Sequence, residues 1–251
     1  MPPELSNLTE DQVFHRRVLR LLQKHHLPFL VGGDYAYQPY TGVQRHPKDL
    51  DLFVRPVDCK EALRLLSDMG YRTELTASHW LGKAFFKTHY VDVIFGFSNG
   101  LGQVNAGWFR RAFDGTVLGT SVPLVSPEDM IWMKAFVQER DRYDGADVAH
   151  LLHACFGLLD WKLLLNQFGS YWRVLLSHLI LYGFIYPGDR NQIPVWLMEE
   201  LMRRLQRQLT DNGEESLCQG TLFSSTEYKT DLEKWNFRDA RLIPVASDRH
   251  A

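Results

Sequence analysis

A short apolar run, Pro28 to Val31, ends on Gly32-Gly33, and fifteen residues separate that pair from the segment Asp49-Leu50-Asp51-Leu52-Phe53-Val54. Four apolar residues closed by glycines read as a buried strand entering a tight turn. The second segment alternates up to Phe53, which puts Asp49 and Asp51 on one face of a strand and Leu50, Leu52 and Val54 on the other. Residues two apart on a strand are separated by roughly 6.6 Å and point the same way, so their carboxylates can converge on cations spaced about 3.5–4 Å. A third acid, Asp92, lies between Val91 and Val93 in a further strand-like run, Tyr90 to Phe95, and points away from both valines.

Around these strands the pattern is helical. Thr9 with Gln12 forms a capping box for a helix running to about His26, with Val13, Val18, Leu21 and Leu22 as its apolar face and Pro28 as its stop. Asp34 to Tyr40 reads as one or two helical turns. Asp58 with Glu61 opens the next helix, with Ala62, Leu65, Leu66 and Met69 facing inward and Gly70 ending it. A strand follows at Lys83 to Lys87. From Ser126-Pro127-Glu128, an N-cap with proline at the first helical position, helical periodicity persists to about Leu209. A last helix is expected near Ser225 to Trp235, before a loosely held end. The chain is therefore read as α/β over residues 1–125 and mostly α-helical over 126–251.

Composition narrows the function classes. With 45% hydrophobic and 23% charged residues, the chain can bury a full core. A net charge of −2 exerts no overall pull on nucleic acid, so a contact with RNA or DNA would need a local basic patch. Cys59, Cys155 and Cys218 are odd in number and widely spaced, which argues against a disulfide framework or a structural zinc and fits a reducing cytoplasm. The first residues lack a basic and then apolar leader, and the longest apolar stretch, Val174 to Tyr186, is broken by Ser177 and His178. Neither an export signal nor a membrane span is expected.

The chemistry suggested is metal-assisted. Mg²⁺ takes hard oxygen ligands and keeps waters and substrate phosphates, which suits Asp49, Asp51 and Asp92 at exposed strand positions. Gly32 and Gly33 would let backbone N–H groups approach a triphosphate, aided by the N-terminus of the following helix. Arg45, with His46 and Lys48, sits just before the carboxylate strand, where a cation can meet phosphates; a solvated loop charge is the plainer alternative. The run Arg140 to Asp147 alternates in sign and most simply links two helices through ion pairs, or else orients Lys134 or Arg45. His150 and His153 lack a third ligand at suitable spacing for zinc. Trp161, Tyr171, Trp172, Tyr182, Phe184 and Tyr186 are read as core.

The segment FLVGGDYAYQPYTGVQRHPKDLDLFV, together with HYVDVIFG, resembles the core of the nucleotidyltransferase superfamily, which includes aminoglycoside nucleotidyltransferases and the minimal nucleotidyltransferases of bacteria. The segments SPEDMIWMKAFVQERDRYDGADVAHLL and CQGTLFSSTEYKTDLEKWNFRDAR resemble the regions that follow in uncharacterised bacterial members. The resemblance implies a small mixed sheet flanked by helices, then a helical region that closes over a nucleotide. It also implies transfer of a nucleoside monophosphate from a nucleoside triphosphate such as ATP to an acceptor hydroxyl, on a small molecule, a protein or an RNA end. Asp49, Asp51 and Asp92 would then be catalytic and hold Mg²⁺, with Asp92 also taking the acceptor's proton. Gly32, Gly33, Arg45 and Lys134, which matches a lysine near the nucleotide in relatives, would contact the nucleotide. The chain departs from the pattern at Asp34, where many members carry serine or another small residue: an acid beside a triphosphate repels it. That departure leaves a catalytically inactive, regulatory or toxin–antitoxin-like protein as the alternative, unless Asp34 serves as the N-cap of the next helix.

Overall fold

The computed structural model describes residues 8–209 and 215–243. Contacts divide the chain after Met130 into two compact units. In the first, the elements run α1 (Glu10–Lys24), β1 (Leu30–Val31), α2 (Gly33–Thr41), β2 (Leu50–Phe53), α3 (Pro56–Asp68), β3 (Arg72–Ala77), β4 (Leu81–Phe86), β5 (His89–Ile94), α4 (Ala106–Arg111), β6 (Phe113–Val117) and β7 (Thr120–Leu124). The strands form one seven-stranded sheet in the order β3-β4-β5-β2-β1-β7-β6. It is mixed: β2 pairs parallel with β5 and β1 parallel with β7, while the remaining pairs are antiparallel. The expected mixed α/β sheet is present.

Local signals account for most of these elements. The Gln12 side chain accepts a hydrogen bond from the Thr9 backbone N–H at 3.1 Å, which satisfies a donor at the start of α1. Phe14, Val18, Leu19 and Leu22 of that helix are buried, each such side chain stabilising the fold by roughly 1.5–3 kcal/mol. Helix α3 starts three residues earlier than its acidic residues suggest, because Pro56 supplies the favoured first position; Asp58 instead pairs with Arg55 at 2.5 Å. Met69, expected to face inward, is 54% exposed at the C-cap of α3. Strands β3, β6 and β7 were not legible. β3 is a largely exposed edge, and the β6–β7 hairpin carries Gly115 and Pro123, residues that weaken a strand pattern. Its two-residue turn is made by Leu118 and Gly119, both at positive φ (50° and 71°), the geometry that matches strand twist.

The second unit is helical: the end of α5 (Pro127–Ala135), then α6 (Gly145–Cys155), α7 (Trp161–Phe168), α8 (Trp172–Ile185), α9 (Val195–Arg207) and the short α10 (Lys229–Glu233). Ser126 precedes α5 and its hydroxyl accepts from the Asp129 backbone N–H at 3.2 Å, as an N-cap does. Helix α8 packs on α6, α7 and α9. Trp132 meets Phe136 and Phe168 edge to face at ring separations of 4.8 and 4.9 Å. Of the aromatics assigned to the core, Trp172 and Tyr182 are buried but Phe184 is exposed. The helix expected over 225–235 shrinks to α10, beside a two-stranded parallel pairing of β8 (Leu217–Cys218) with β9 (Arg238–Asp239). The last residues, expected to be loosely held, lie outside the described residues from 244 onward, as do residues 210–214. No described helix is long and apolar enough to cross a membrane.

Candidate active site

The parallel pairing of β2 with β5 sets Asp51 directly beside Asp92, and the antiparallel pairing of β5 with β4 sets Asp92 beside Lys83. One lateral row thus crosses three strands as Lys83, Asp92 and Asp51, and Asp49 lies two residues before Asp51. Each of the three acids offers a carboxylate oxygen within 4.8 Å of those of the others. Among the described residues this is the one group of three or more histidine, cysteine or carboxylate side chains placed to share a cation. The flanking Leu50, Leu52, Val91 and Val93 are fully buried, so the core fixes the face on which the acids stand.

The paired glycines join the row from the other side. The Gly32 N–H donates to the Asp51 carbonyl at 3.0 Å, which holds the turn against β2. A Cβ on Gly33 would lie 1.8 Å from Asp51 Oδ2, and one on Gly32 would lie 2.2 Å from the Phe53 ring. Gly33 also has φ at +54°, in the left-handed region. The pair is therefore required by the carboxylate strand itself, a reason separate from any approach to phosphate.

Asp34 is the second residue of α2, whose N-cap is Gly32; it is not the N-cap. Its carboxylate accepts from Arg45 at 2.8 Å, and the Arg45 guanidinium lies 4.1 Å from the centre of the Tyr37 ring. The acid that departs from the family pattern thus has a cation beside it. Lys134 belongs to the second unit, where its ammonium meets Asp147 at 2.6 Å and Asp144 at 3.1 Å. Arg142 also pairs with Asp144 at 3.0 Å. The alternating run at 140–147 therefore links α5 to the start of α6 through ion pairs, the simpler of the outcomes its sequence allowed, and holds Lys134 in doing so.

Three groups around the acids were not singled out beforehand. Lys83 Nζ donates to Asp92 Oδ1 at 2.6 Å and lies 4.3 Å from the centre of the Tyr90 ring. The Tyr90 hydroxyl donates to Asp49. His15, fully buried, lies with Nε2 3.3 Å from the Tyr90 carbonyl and Nδ1 3.1 Å from the Tyr35 hydroxyl. A carbonyl only accepts, so Nε2 carries the proton and Nδ1 accepts from Tyr35. Burial lowers the His15 pKa, in keeping with that neutral form. It raises that of Tyr35, where the charges of Asp11 and Asp49 add to it. Burial also pushes Asp92 above the ordinary carboxylate value, against the pull of Lys83 and with help from the charge of Asp49. A signal for Lys83 existed: a two-residue turn at Lys87-Thr88 forces it opposite Asp92. It was hidden because neither turn residue is Gly, Asn or Asp.

A mixed sheet that brings three aspartates together from adjacent parallel strands, beside a glycine turn, has a nucleotidyltransferase-like fold. The profile of a family described as an uncharacterised nucleotidyltransferase matches residues 12–183, and the chain belongs to that family. A comparison with curated proteins gives no match. Among solved structures, the chain is similar to ANT(2″)-Ia in complex with adenylyl-2″-tobramycin, at 18% identity over 65% of this chain and 99% of that one, with a TM-score of 0.50. It is also similar to the lincosamide antibiotic adenylyltransferase LnuA with lincomycin bound, at 18% identity over 58% and 97% of the two chains and a TM-score of 0.43. A third is the antigenic nucleotidyltransferase-like protein from Paracoccidioides brasiliensis, at 16% identity, 73% and 91% coverage and a TM-score of 0.47. At such identities the first of these establishes the fold.

Proposed function

We propose that the first unit, with the boundary near residue 125, is a catalytic domain that transfers a nucleoside monophosphate from a nucleoside triphosphate, ATP among them, to an acceptor hydroxyl, with Mg²⁺ as the cofactor. The observation that carries this reading is the convergence of Asp49, Asp51 and Asp92 within 4.8 Å on the strand face next to Gly32 and Gly33. Their all-oxygen donor set fits a hard divalent cation, and the missing Gly33 Cβ leaves the space that Asp51 Oδ2 fills. Asp49 and Asp51 would hold the cation, with Asp92 as third ligand. When bound, Mg²⁺ would supply charge stabilisation for the attacking and leaving oxygens.

The chain's own groups do the rest. Gly32 and Gly33, at the start of α2, would line the triphosphate, with the Gly33 N–H facing it while the Gly32 N–H stays on the Asp51 carbonyl. Arg45 offsets the charge of Asp34, which answers the electrostatic objection to an acid at that position and favours an active enzyme over an inactive regulator. In the transfer, the acceptor oxygen bonds to the α-phosphorus while the bond from that phosphorus to the bridging oxygen breaks. Pyrophosphate leaves with the electron pair, and the acceptor's proton passes to Asp92. The burial that lifts the Asp92 pKa makes it a better proton acceptor than an ordinary surface carboxylate.

The acceptor is open among a small molecule, a protein and an RNA end. The test is incubation of the purified protein with each α-labelled nucleoside triphosphate, Mg²⁺ and a host extract, followed by location of the label. Label on any acceptor, lost in the Asp49→Asn/Asp51→Asn protein, supports the reading. Absence of label with every nucleotide, together with no thermal stabilisation by nucleotide and Mg²⁺, overturns it in favour of the regulatory alternative.

A further inference from the structure

From Gln12 to Gly33 the chain carries Arg16, Arg17, Arg20 and Lys24 but no aspartate or glutamate. All four cations fall on α1. Arg16, Arg20 and Lys24 follow one another at four-residue spacing and Arg17 lies three before Arg20, so they share the side of the helix turned away from the buried Phe14, Val18, Leu19 and Leu22. Arg17, Arg20 and Lys24 are exposed and Arg16 is half-buried. Among the described residues, none of the four forms an ion pair. Helix α3, which packs against α1, is built the other way: its Glu61 and Asp68 both pair with Arg64, and its Asp58 pairs with Arg55. The solvent face of α3 neutralises itself, whereas that of α1 stays positive. Like charges at four-residue spacing repel, so the row weakens the helix that carries it and does not serve folding.

We propose that this face of α1 is a docking surface for RNA, which it holds by the phosphates. With a net charge of −2 the chain as a whole does not attract a polyanion, so attraction depends on a local concentration of cations, and the α1 row is one. Three of its four members are arginines, whose guanidinium forks match phosphate oxygens. From Arg16 to Lys24 the helix rises about 12 Å, enough to lie along about three consecutive phosphates. The row also lacks what other anionic partners require. A protein partner is gripped by aromatic or aliphatic anchors at the centre of the contact, and no large apolar side chain of α1 is exposed. A helix lying on an anionic bilayer sinks its apolar face into the lipid, whereas that of α1 is committed to the core. Of the acceptors left open above, an RNA end is the one that brings a phosphate backbone with it; this link, unlike the docking surface, rests on the catalytic reading.

The experiment follows the fluorescence anisotropy of a labelled oligouridylate of about 20 nucleotides mixed with the full chain over a range of KCl concentrations, without nucleoside triphosphate or divalent cation. With about three phosphates held, the logarithm of the binding constant should fall against that of the KCl concentration with a slope of about −2, a loss of about fifteenfold between about 50 and 200 mM. Arg16→Gln, Arg17→Gln, Arg20→Gln and Lys24→Gln made together should weaken binding at the lower salt at least about tenfold and flatten the slope. The same protein should melt at an unchanged or higher temperature, because repulsion along α1 has been removed. Arg203→Gln with Arg207→Gln, on the exposed side of α9, should alter binding less than about twofold. No binding by the wild type at the lower salt overturns the proposal, and so does equal binding by the four-site variant. Tighter binding of an oligothymidylate, of polyglutamate or of phosphatidylserine vesicles than of the RNA also overturns it, in favour of that partner. If the four-site variant does not fold, Arg17→Gln/Arg20→Gln decides: a slope shallower by about 1 supports the proposal, and an unchanged slope overturns it. The Asp49→Asn/Asp51→Asn protein should bind the RNA at least as tightly as wild type. RNA that binds to α1 but never receives label from the wild type would therefore break the link to the catalytic reading and leave the docking surface standing.

Discussion

Both units gather buried or half-buried acids around a lysine, and they do so differently. In the second, Lys134 meets Asp147 at 2.6 Å and Asp144 at 3.1 Å, and Arg142 adds a second cation on Asp144. In the first, Lys83 meets one acid, Asp92, while Asp49 and Asp51 converge on the same place from β2. Cations placed among the acids make the helical cluster a self-contained bolt between α5 and α6. In the sheet cluster the acids come from two adjacent strands and Lys83 stands at one end of the row; on the proposed reading a further cation would complete it. On the proposed reading, the difference separates an electrostatic arrangement that serves folding from one set up for chemistry at some expense to the apoprotein.

The largest effect that can break this contrast is on turnover. Asp49→Asn with Asp51→Asn should lower label transfer by at least roughly 10²–10³-fold, while the apoprotein melts at the same temperature or higher because like charges have been removed. A lower melting temperature would make the first cluster another structural bolt. Next, Lys134→Met should destabilise the protein by about 3 kcal/mol, since it leaves two shielded carboxylates without that partner. Chemical denaturation measures it, and a loss near zero would erase the contrast from the other side. Gly33→Ala should cost about 2 kcal/mol through the positive φ and the clash with Asp51, and should weaken Mn²⁺ binding more than Gly42→Ala. Gly42 is also at positive φ but has open space around it, so equal binding in the two variants would detach Gly33 from the site.

The smallest effect concerns pH. Among the described residues each unit buries one histidine, His15 or His178, and burial lowers both pKa values from the ordinary 6.5. The folded chain then binds fewer protons than the unfolded one, so this contribution to stability is present above pH 6.5 and is lost as pH falls from there toward the folded values. The slope is at most about 1.4 kcal/mol per pH unit for each histidine. Replacing His15 by Asn should flatten the fall measured by denaturant titration between pH 7 and 5, and His178→Asn should do the same. An unchanged slope in both would mean that neither ring is held neutral.

How much of this was legible can be argued residue by residue. The strand DLDLFV and the acid between Val91 and Val93 were readable because alternation is local and the buried valines and leucines enforce it. The glycine pair was readable as a turn, but its second reason, the Asp51 carboxylate against Gly33, depends on how two strands pair. Strands β6 and β7 were hidden by Gly115 and Pro123, whose local preferences oppose the pairing they adopt. Lys83, Tyr90 and His15 were missed for a related reason: each is ordinary in its own segment and gains meaning only from the register of β4 on β5 or the seating of α1. The helical half was legible as helix, whereas the outward face of Phe184 was not, since an apolar run on α8 does not say which side meets the neighbours.

The row Lys83, Asp92 and Asp51 crosses three strands, and Asp51 and Asp92 come from parts of the chain separated by a helix and two further strands. No hairpin or helix–strand piece on its own contains the whole group, so it does not exist in any early, locally folded fragment. It comes into being when the slow, non-local pairing of β2 with β5 closes. If the proposed reading holds, cation binding at the three aspartates would be a late event in the life of the newly made chain, and one that reports completion: a chain that has collapsed without zipping its central strands would be blind to the ion, and the ion, once held, would lock the last pairing to form.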